Sequence, residues 1–290
     1  MDHCPENTHS RSTARCGLDS DRSLGIPIRL LALSGRFALF LLFVETSAVA
    51  APLAVVNPGF EAQVHAPNSF TGLPLTGWLP YNDANVTGEF VGTLNATATT
   101  YFPSGAPEGA NVAIAFMDAA GTADVEFGIE QTLAATLQPD TLYTLDVEVG
   151  NIASGTTGTI FYDLDGYNGY RIELRAGANV LAMDDDTLSI AEGTFGTSTV
   201  VFDSTGVDPG LIGSPLTIRL VHLNRIDPAF PGAHREIDFD DVRLDAVAAP
   251  SPVPLLGIGA ALLLCAALSG VTLFASRRRE MSAILPGSGF

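Results

Sequence analysis

Between residues 52 and 249 apolar and polar positions alternate over short runs, and helical periodicity is weak. In Tyr143-Thr144-Leu145-Asp146-Val147-Glu148-Val149 every odd position is apolar and every even one polar. Ile237-Asp238-Phe239-Asp240 repeats the alternation. A period of two with one apolar face belongs to an antiparallel sheet with one buried side. Strands are predicted at 89–94, 111–117, 125–132, 143–150, 170–176, 180–182, 197–202, 216–223 and 236–244. Gly, Pro and Asp turns separate them. The pattern predicts an all-β fold, a single antiparallel jelly-roll β-sandwich over residues 51–249.

The two ends follow other rules. Arg29 and Arg36 precede an apolar run from Phe37 to Val44, and Ala48-Val49-Ala50 fits a small-x-small cleavage site. Residues 1–50 therefore read as a signal peptide, with Ala51 as the mature start. From Leu255 to Ala275 there is no charged residue. A helix of that length spans ~31 Å, the thickness of a bilayer's hydrocarbon core. Arg277, Arg278 and Arg279 follow and are expected to stay in the cytoplasm. The reading is a domain exported across the cytoplasmic membrane and anchored by a transmembrane helix at 255–275, with a short tail at 281–290.

The segment Ser251-Pro252-Val253-Pro254-Leu255, the apolar helix and the arginine cluster together resemble the PEP-CTERM family of bacterial sorting tails. The signature here lacks the usual glutamate, and the chain continues past the arginines to Phe290. The resemblance covers residues 250–280. It implies that Pro252, Val253, Pro254 and the three arginines form a sorting signal. It also implies an exosortase-like processing protease as partner, an association with exopolysaccharide, and release to the cell surface or matrix.

Charge and cysteine content narrow the chemistry. Between Ala51 and Pro252 there are 26 acidic residues against 6 arginines, a formal charge of −20. Such a surface repels nucleic acid. Cys4 and Cys16 precede the mature start and Cys265 lies in the predicted membrane segment, so the exported domain has no disulfide framework. Gly-x-Ser-x-Gly and His-Glu-x-x-His motifs are absent, and His65, His222 and His234 are scattered. Asp163-Leu164-Asp165-Gly166 and Asp184-Asp185-Asp186 read as hydrated turns.

Flat apolar rings are the usual platform for a sugar's C–H face, which makes Tyr81, Tyr101, Tyr167 and Trp78 candidate carbohydrate contacts. The opening Asn57-Pro58-Gly59-Phe60-Glu61, the following Gly77-Trp78 and the closing Ile237-Asp238-Phe239-Asp240-Asp241-Val242-Arg243-Leu244 resemble galactose-binding-like jelly rolls, which include carbohydrate-binding modules. That resemblance implies a structural calcium between first and last strands, with Glu61 and Asp241 as ligands. The expected function is a non-enzymatic surface or matrix protein that binds polysaccharide. A glycan-active enzyme on the same sandwich and a protein-binding adhesin are the alternatives.

Overall fold

The alternating runs are strands, and five short ones join them. The computed structural model describes residues 50–98 and 100–249. The predicted signal peptide, the anchor helix 255–275, and the signal residues Pro252, Val253, Pro254, Arg277, Arg278 and Arg279 lie outside the described residues. In chain order the strands are β1 (Ala51–Leu53), β2 (Phe70–Gly72), β3 (Leu79–Tyr81), β4 (Glu89–Asn95), β5 (Asn111–Met117), β6 (Phe127–Thr136) and β7 (Thr141–Asn151). They continue with β8 (Gly155–Thr157), β9 (Ile160–Tyr162), β10 (Tyr170–Ala176), β11 (Asn179–Asp185), β12 (Thr194–Asp203), β13 (Pro215–His222) and β14 (Arg235–Ala248). Among the described residues no helix is long and apolar enough to cross a membrane.

One sheet runs β12-β7-β14-β5-β4-β2, with β1 also paired to β14. The other runs β11-β10-β13-β6-β3, and β8-β9 forms a separate hairpin. All pairings are antiparallel. The arrangement is an all-β sandwich. Tyr143, Leu145, Val147 and Val149 of β7 and Ile172, Leu174, Ile218 and Leu220 of the facing sheet fill the core between the layers. Each is removed from water on one side of its strand only, which is why the sequence alternates.

β14 departs from strict alternation at one point. Ile237 and Phe239 face the core, and beyond the register shift between Asp240 and Arg243 it is Val242 and Leu244 that do so. The extra residue is a β-bulge at Asp241, whose φ is +46°. Left-handed backbone costs an aspartate less than most residues. The doubled aspartate at 240 and 241 is the trace of this bulge in the sequence. Before it, Glu236, Asp238 and Asp240 all point to the outer face, and all three are buried.

Asp184 does not lie in a hydrated turn. It closes β11 inside the sandwich, 7% exposed. Tyr170 Oη and Ser198 Oγ donate to its Oδ2 at 2.6 Å each, and the Thr187 N–H donates to Oδ1 at 3.2 Å. Burial pushes this carboxyl up, but the donors outweigh burial and hold it below the usual aspartate value. Arg235 is equally buried, at 2% exposure. Its Nε donates to Asn224 Oδ1 at 2.7 Å and its Nη2 to the Gly121 carbonyl at 3.1 Å. This ties the 118–124 loop to the start of β14.

Candidate active site

A second hydrophobic cluster lies on the outer face of the larger sheet. Leu94 of β4, Ala96 just after it, Val112 and Ile114 of β5, and Ile152 meet Tyr101, Phe102 and Leu164 from the chain that crosses above. Two segments make this cover, the loop after β4 and the β8–β9 hairpin with its return. Asn68 Nδ2 donates to the Thr156 carbonyl at 2.8 Å, and the Tyr101 and Thr157 hydroxyls bond at 2.8 Å, which fastens hairpin to loop. The Leu164 N–H donates to Ser154 Oγ at 2.8 Å, and Ser154 Oγ donates to Asp165. The aspartates at 163–165 thus close the hairpin over the sheet.

Beneath this cover is a cavity of about 160 Å³. Phe70, Phe90, Tyr101, Phe116 and Tyr162 line it together with Ile114, and the one charged-type group in its wall is Glu236. Cavities of this order take up a benzene ring. The rings meet edge to face: Phe70 and Tyr162 at 6.0 Å, Phe116 and Tyr162 at 6.5 Å. His234 lies over Phe116 at 5.2 Å, and its Nδ1 accepts the Ala119 N–H at 3.1 Å.

Glu236 is 7% exposed and Asp238 fully buried. Burial pushes the Glu236 carboxyl far above the usual value. It pushes Asp238 up as well, and the neighbouring Glu236 raises it further. Two adjacent buried carboxyls do not both ionise at neutral pH. An apolar pocket with a protonated acid in its wall can give a proton to a carbon substrate.

The sequence-based candidates fall in other places. Trp78 is a core residue, 2% exposed, its ring 5.4 Å from Phe60 and its indole N–H donating to the Asn57 carbonyl at 3.2 Å. The Tyr81 ring carries the Arg219 guanidinium 3.9 Å from its centroid, so one ring face is occupied. Tyr167 is partly buried against the core, and its hydroxyl is enclosed. Tyr101 alone lines the cavity. Glu61 Oε1 accepts the Ala110 and Asn111 N–H groups at 2.7 and 2.6 Å, and Asp241 pairs with Arg243 at 2.9 Å. Their segments nevertheless meet, since the Val242 N–H donates to the Pro58 carbonyl at 3.1 Å and the Glu108 N–H to Asp240 at 2.8 Å. Among the described residues no three His, Cys, Asp or Glu side chains gather as a metal cluster.

Glu236 and the aromatic cavity escaped the sequence reading. Alternation put Glu236 on the polar face of its strand, and a polar face reads as solvent-facing. The signal was a faint one: Val112, Ile114 and Phe116 make the outward face of β5 apolar too.

The fold and pocket define a β-sandwich protein with a buried acid in an aromatic cavity. Residues 51–245 match the family model of HpiC1-like proteins, described as HpiC1 cyclase. The chain belongs to this family. Similar solved structures include an apo cyclase from Fischerella sp., 34% identical, covering 70% of this chain and 98% of that one with a TM-score of 0.58. The Stig cyclase Fisc from Fischerella sp. TAU, holding (3Z)-3-(1-methyl-2-pyrrolidinylidene)-3H-indole, is also 34% identical over 70% of this chain and 100% of its own, with a TM-score of 0.60. A Fischerella sp. TAU cyclase holding 4-(1H-indol-3-yl)butan-2-one is 34% identical over 69% and 100%, with a TM-score of 0.60. Comparison with curated proteins gives no match.

These findings correct several expectations. Membership of a cyclase family overturns the assignment to a PEP-CTERM surface protein with a galactose-binding-like, carbohydrate-binding domain. It overturns the non-enzymatic role, and with it the exosortase-like protease and the polysaccharide as partners. The physical reason lies in what the motifs do. The segment from Asn57 to Glu61 bonds to Val242 in the middle of β14 and to Trp78, so these motifs record how the start of the domain joins its last strand. They say nothing of the face that holds the cavity.

Proposed function

We propose that the chain is an acid-catalysed cyclase acting on a small, apolar, indole-like molecule in the cavity above β14. The observation that carries this is the buried carboxyl of Glu236 in a wall otherwise made of rings and aliphatic chains. Glu236 donates its proton to a carbon–carbon double bond of the substrate. The π electron pair forms the new C–H bond and leaves a cation. Phe70, Phe90, Phe116 and Tyr162 surround that cation with aromatic rings, whose quadrupoles favour it. The cover keeps out water that would trap it. A second double bond of the same molecule attacks the cation and closes a ring. The Glu236 carboxylate then takes a proton back, so substrate and product have the same composition. The indole ligands of the two Fischerella structures support the substrate class.

The test uses indole in D2O with the full chain in detergent. Deuterium should enter the indole C3 position faster than in buffer. The variant Ile114→Trp, whose ring fills the cavity, should return the rate to that of buffer. A wild-type rate no higher than buffer overturns the acid reading.

A structural calcium belongs to the same proposal, at the pole where residues 58–61, 107–111 and 240–242 meet. The residues fit the ion in kind. Burial pushes the Asp240 carboxyl up to about 8, and the nearby charges of Glu108 and Asp241 add to this. Glu61, Glu108 and Asp241 would hold the ion, which would supply positive charge beside these carboxylates. Calcium should raise the melting temperature and chelator lower it, with Glu61→Gln removing the difference. An unchanged melting temperature removes the metal. Export and anchoring through residues 255–275 complete the proposal. The native protein should sediment with membranes and have a mass that begins at Ala51. Recovery from the cytosol with Met1 intact overturns that part.

A further inference from the structure

The function proposed above uses Glu236 and leaves its neighbour without a role. Asp238 is fully buried, on the same face of β14, two residues along. Among the described residues neither Asp238 oxygen has a hydrogen-bond partner. Burying a polar group without a partner is costly. A group kept there at that cost is expected to answer to something nearby.

Its surroundings leave one candidate. Opposite Asp238, β5 presents Ile114 and β7 presents Gly150. A Cβ at Gly150 would sit 2.6 Å from the Phe195 ring and 3.1 Å from the Asp238 Cβ, so only glycine lets Phe195 close over the aspartate. On β14 itself Asp240 follows the pair and Arg235 precedes it, with His234 just before the strand and Glu148 of β7 opposite Asp240. From the cover, Tyr101 and Tyr162 face the cavity beside Glu236. Among the described residues no arginine or histidine pairs with Glu236 or Asp238.

We infer that Asp238 is a positioning residue. It stays protonated and donates its hydroxyl hydrogen to the Glu236 carboxylate that remains after proton transfer. Without that bond the new carboxylate would lack a donor from its own strand, in a wall made mostly of apolar side chains. With it, Glu236 releases its proton more readily, and the proton of Asp238 is not itself transferred. The inference rests on Glu236 as the acid, but its test reads the two carboxyls directly rather than turnover. The raised values of both groups agree with it, burial being the first cause for each.

The experiment is an infrared titration of the full chain in detergent, following protonated-carboxyl bands from acid to alkaline pH. Wild type should keep protonated-carboxyl bands at neutral pH, and Glu236→Gln should remove one that is lost before the most alkaline band. Asp238→Val should move the titration of Glu236 upward by a pH unit or more. Asp238→Asn, which keeps an N–H donor, should leave that titration near wild type while removing the band that survives to the highest pH. An Asp238→Val protein whose Glu236 titrates as in wild type overturns the inference. Should Asp238→Val not fold, Asp238→Asn decides alone: persistence of the most alkaline band overturns the inference. Failure of Glu236→Gln to slow indole exchange would instead overturn the proposed function and leave these bands as they are.

Discussion

Glu236→Gln should abolish proton transfer while the fold stands. General acid catalysis by a positioned side chain is worth about 10²–10⁴ in rate, and among the described residues the cavity wall has no second carboxyl. Glutamine has the same shape and remains neutral, as Glu236 does when protonated, so packing against Phe116 and Tyr162 is preserved. Deuterium entry into indole C3 should therefore fall by about 10² or more, with an unchanged melting temperature. The wild-type rate should also depend on pH in one direction. The active form is the protonated one, and burial holds the carboxyl above its usual value. Activity should persist through neutral pH and fall on the alkaline side. A rate that falls on the acid side instead, or a Glu236→Gln protein as fast as wild type, would remove the acid from the mechanism.

His222→Leu should make the domain more stable, and most of all in acid. His222 is fully buried on the core face of β13, with Phe127 edge-on at 4.9 Å and neither ring nitrogen partnered. Burial, with a smaller push from Arg235, brings its value down to about 3. The folded value lies below the unfolded one, so the unfolded chain takes up the proton first. The stability His222 allows is whole above the unfolded value and is lost as pH falls below it. The loss is about 1.4 kcal/mol per pH unit, or roughly 3 kcal/mol by pH 4. Leucine has no proton to take up and leaves no orphaned nitrogen, which itself is worth about 1–3 kcal/mol. Urea unfolding at pH 7 and pH 4 measures both. The gap between variant and wild type should widen on acidification, and a gap that stays constant would mean that His222 is not buried neutral.

The motifs at the ends of the domain illustrate a recurring difficulty. Asn57 to Glu61 and Asp240-Asp241 were legible because their spacing is local and their chemistry is that of turns and bulges. Their job is to join the first strand region to the last. They are therefore shared by sandwiches of unrelated activity, and fold-level likeness does not transfer function. The Asp184 segment erred in the opposite sense. It looks like a solvated turn by composition. Its first aspartate accepts two hydroxyls inside the sandwich. Composition records that a residue is polar, while its partners lie far away in sequence or across the layer.

By itself the sequence determined the β architecture. The period of two in β7 and β14 follows from single strands and needs no knowledge of their neighbours. It determined the acidic balance of the domain and the apolar stretch from Leu255 to Ala275 in the same way, because these are sums over adjacent residues. Only the tertiary structure decided which polar face is wet. Glu236 and Asp238 alternate with Ile237 and Phe239 as any outward-facing acid would. They are buried because Tyr101, Tyr162 and Phe195, from segments distant in the chain, fold over that face. A carboxyl's proton is held by the medium around it, and that medium is assembled by contacts the strand's own sequence does not contain.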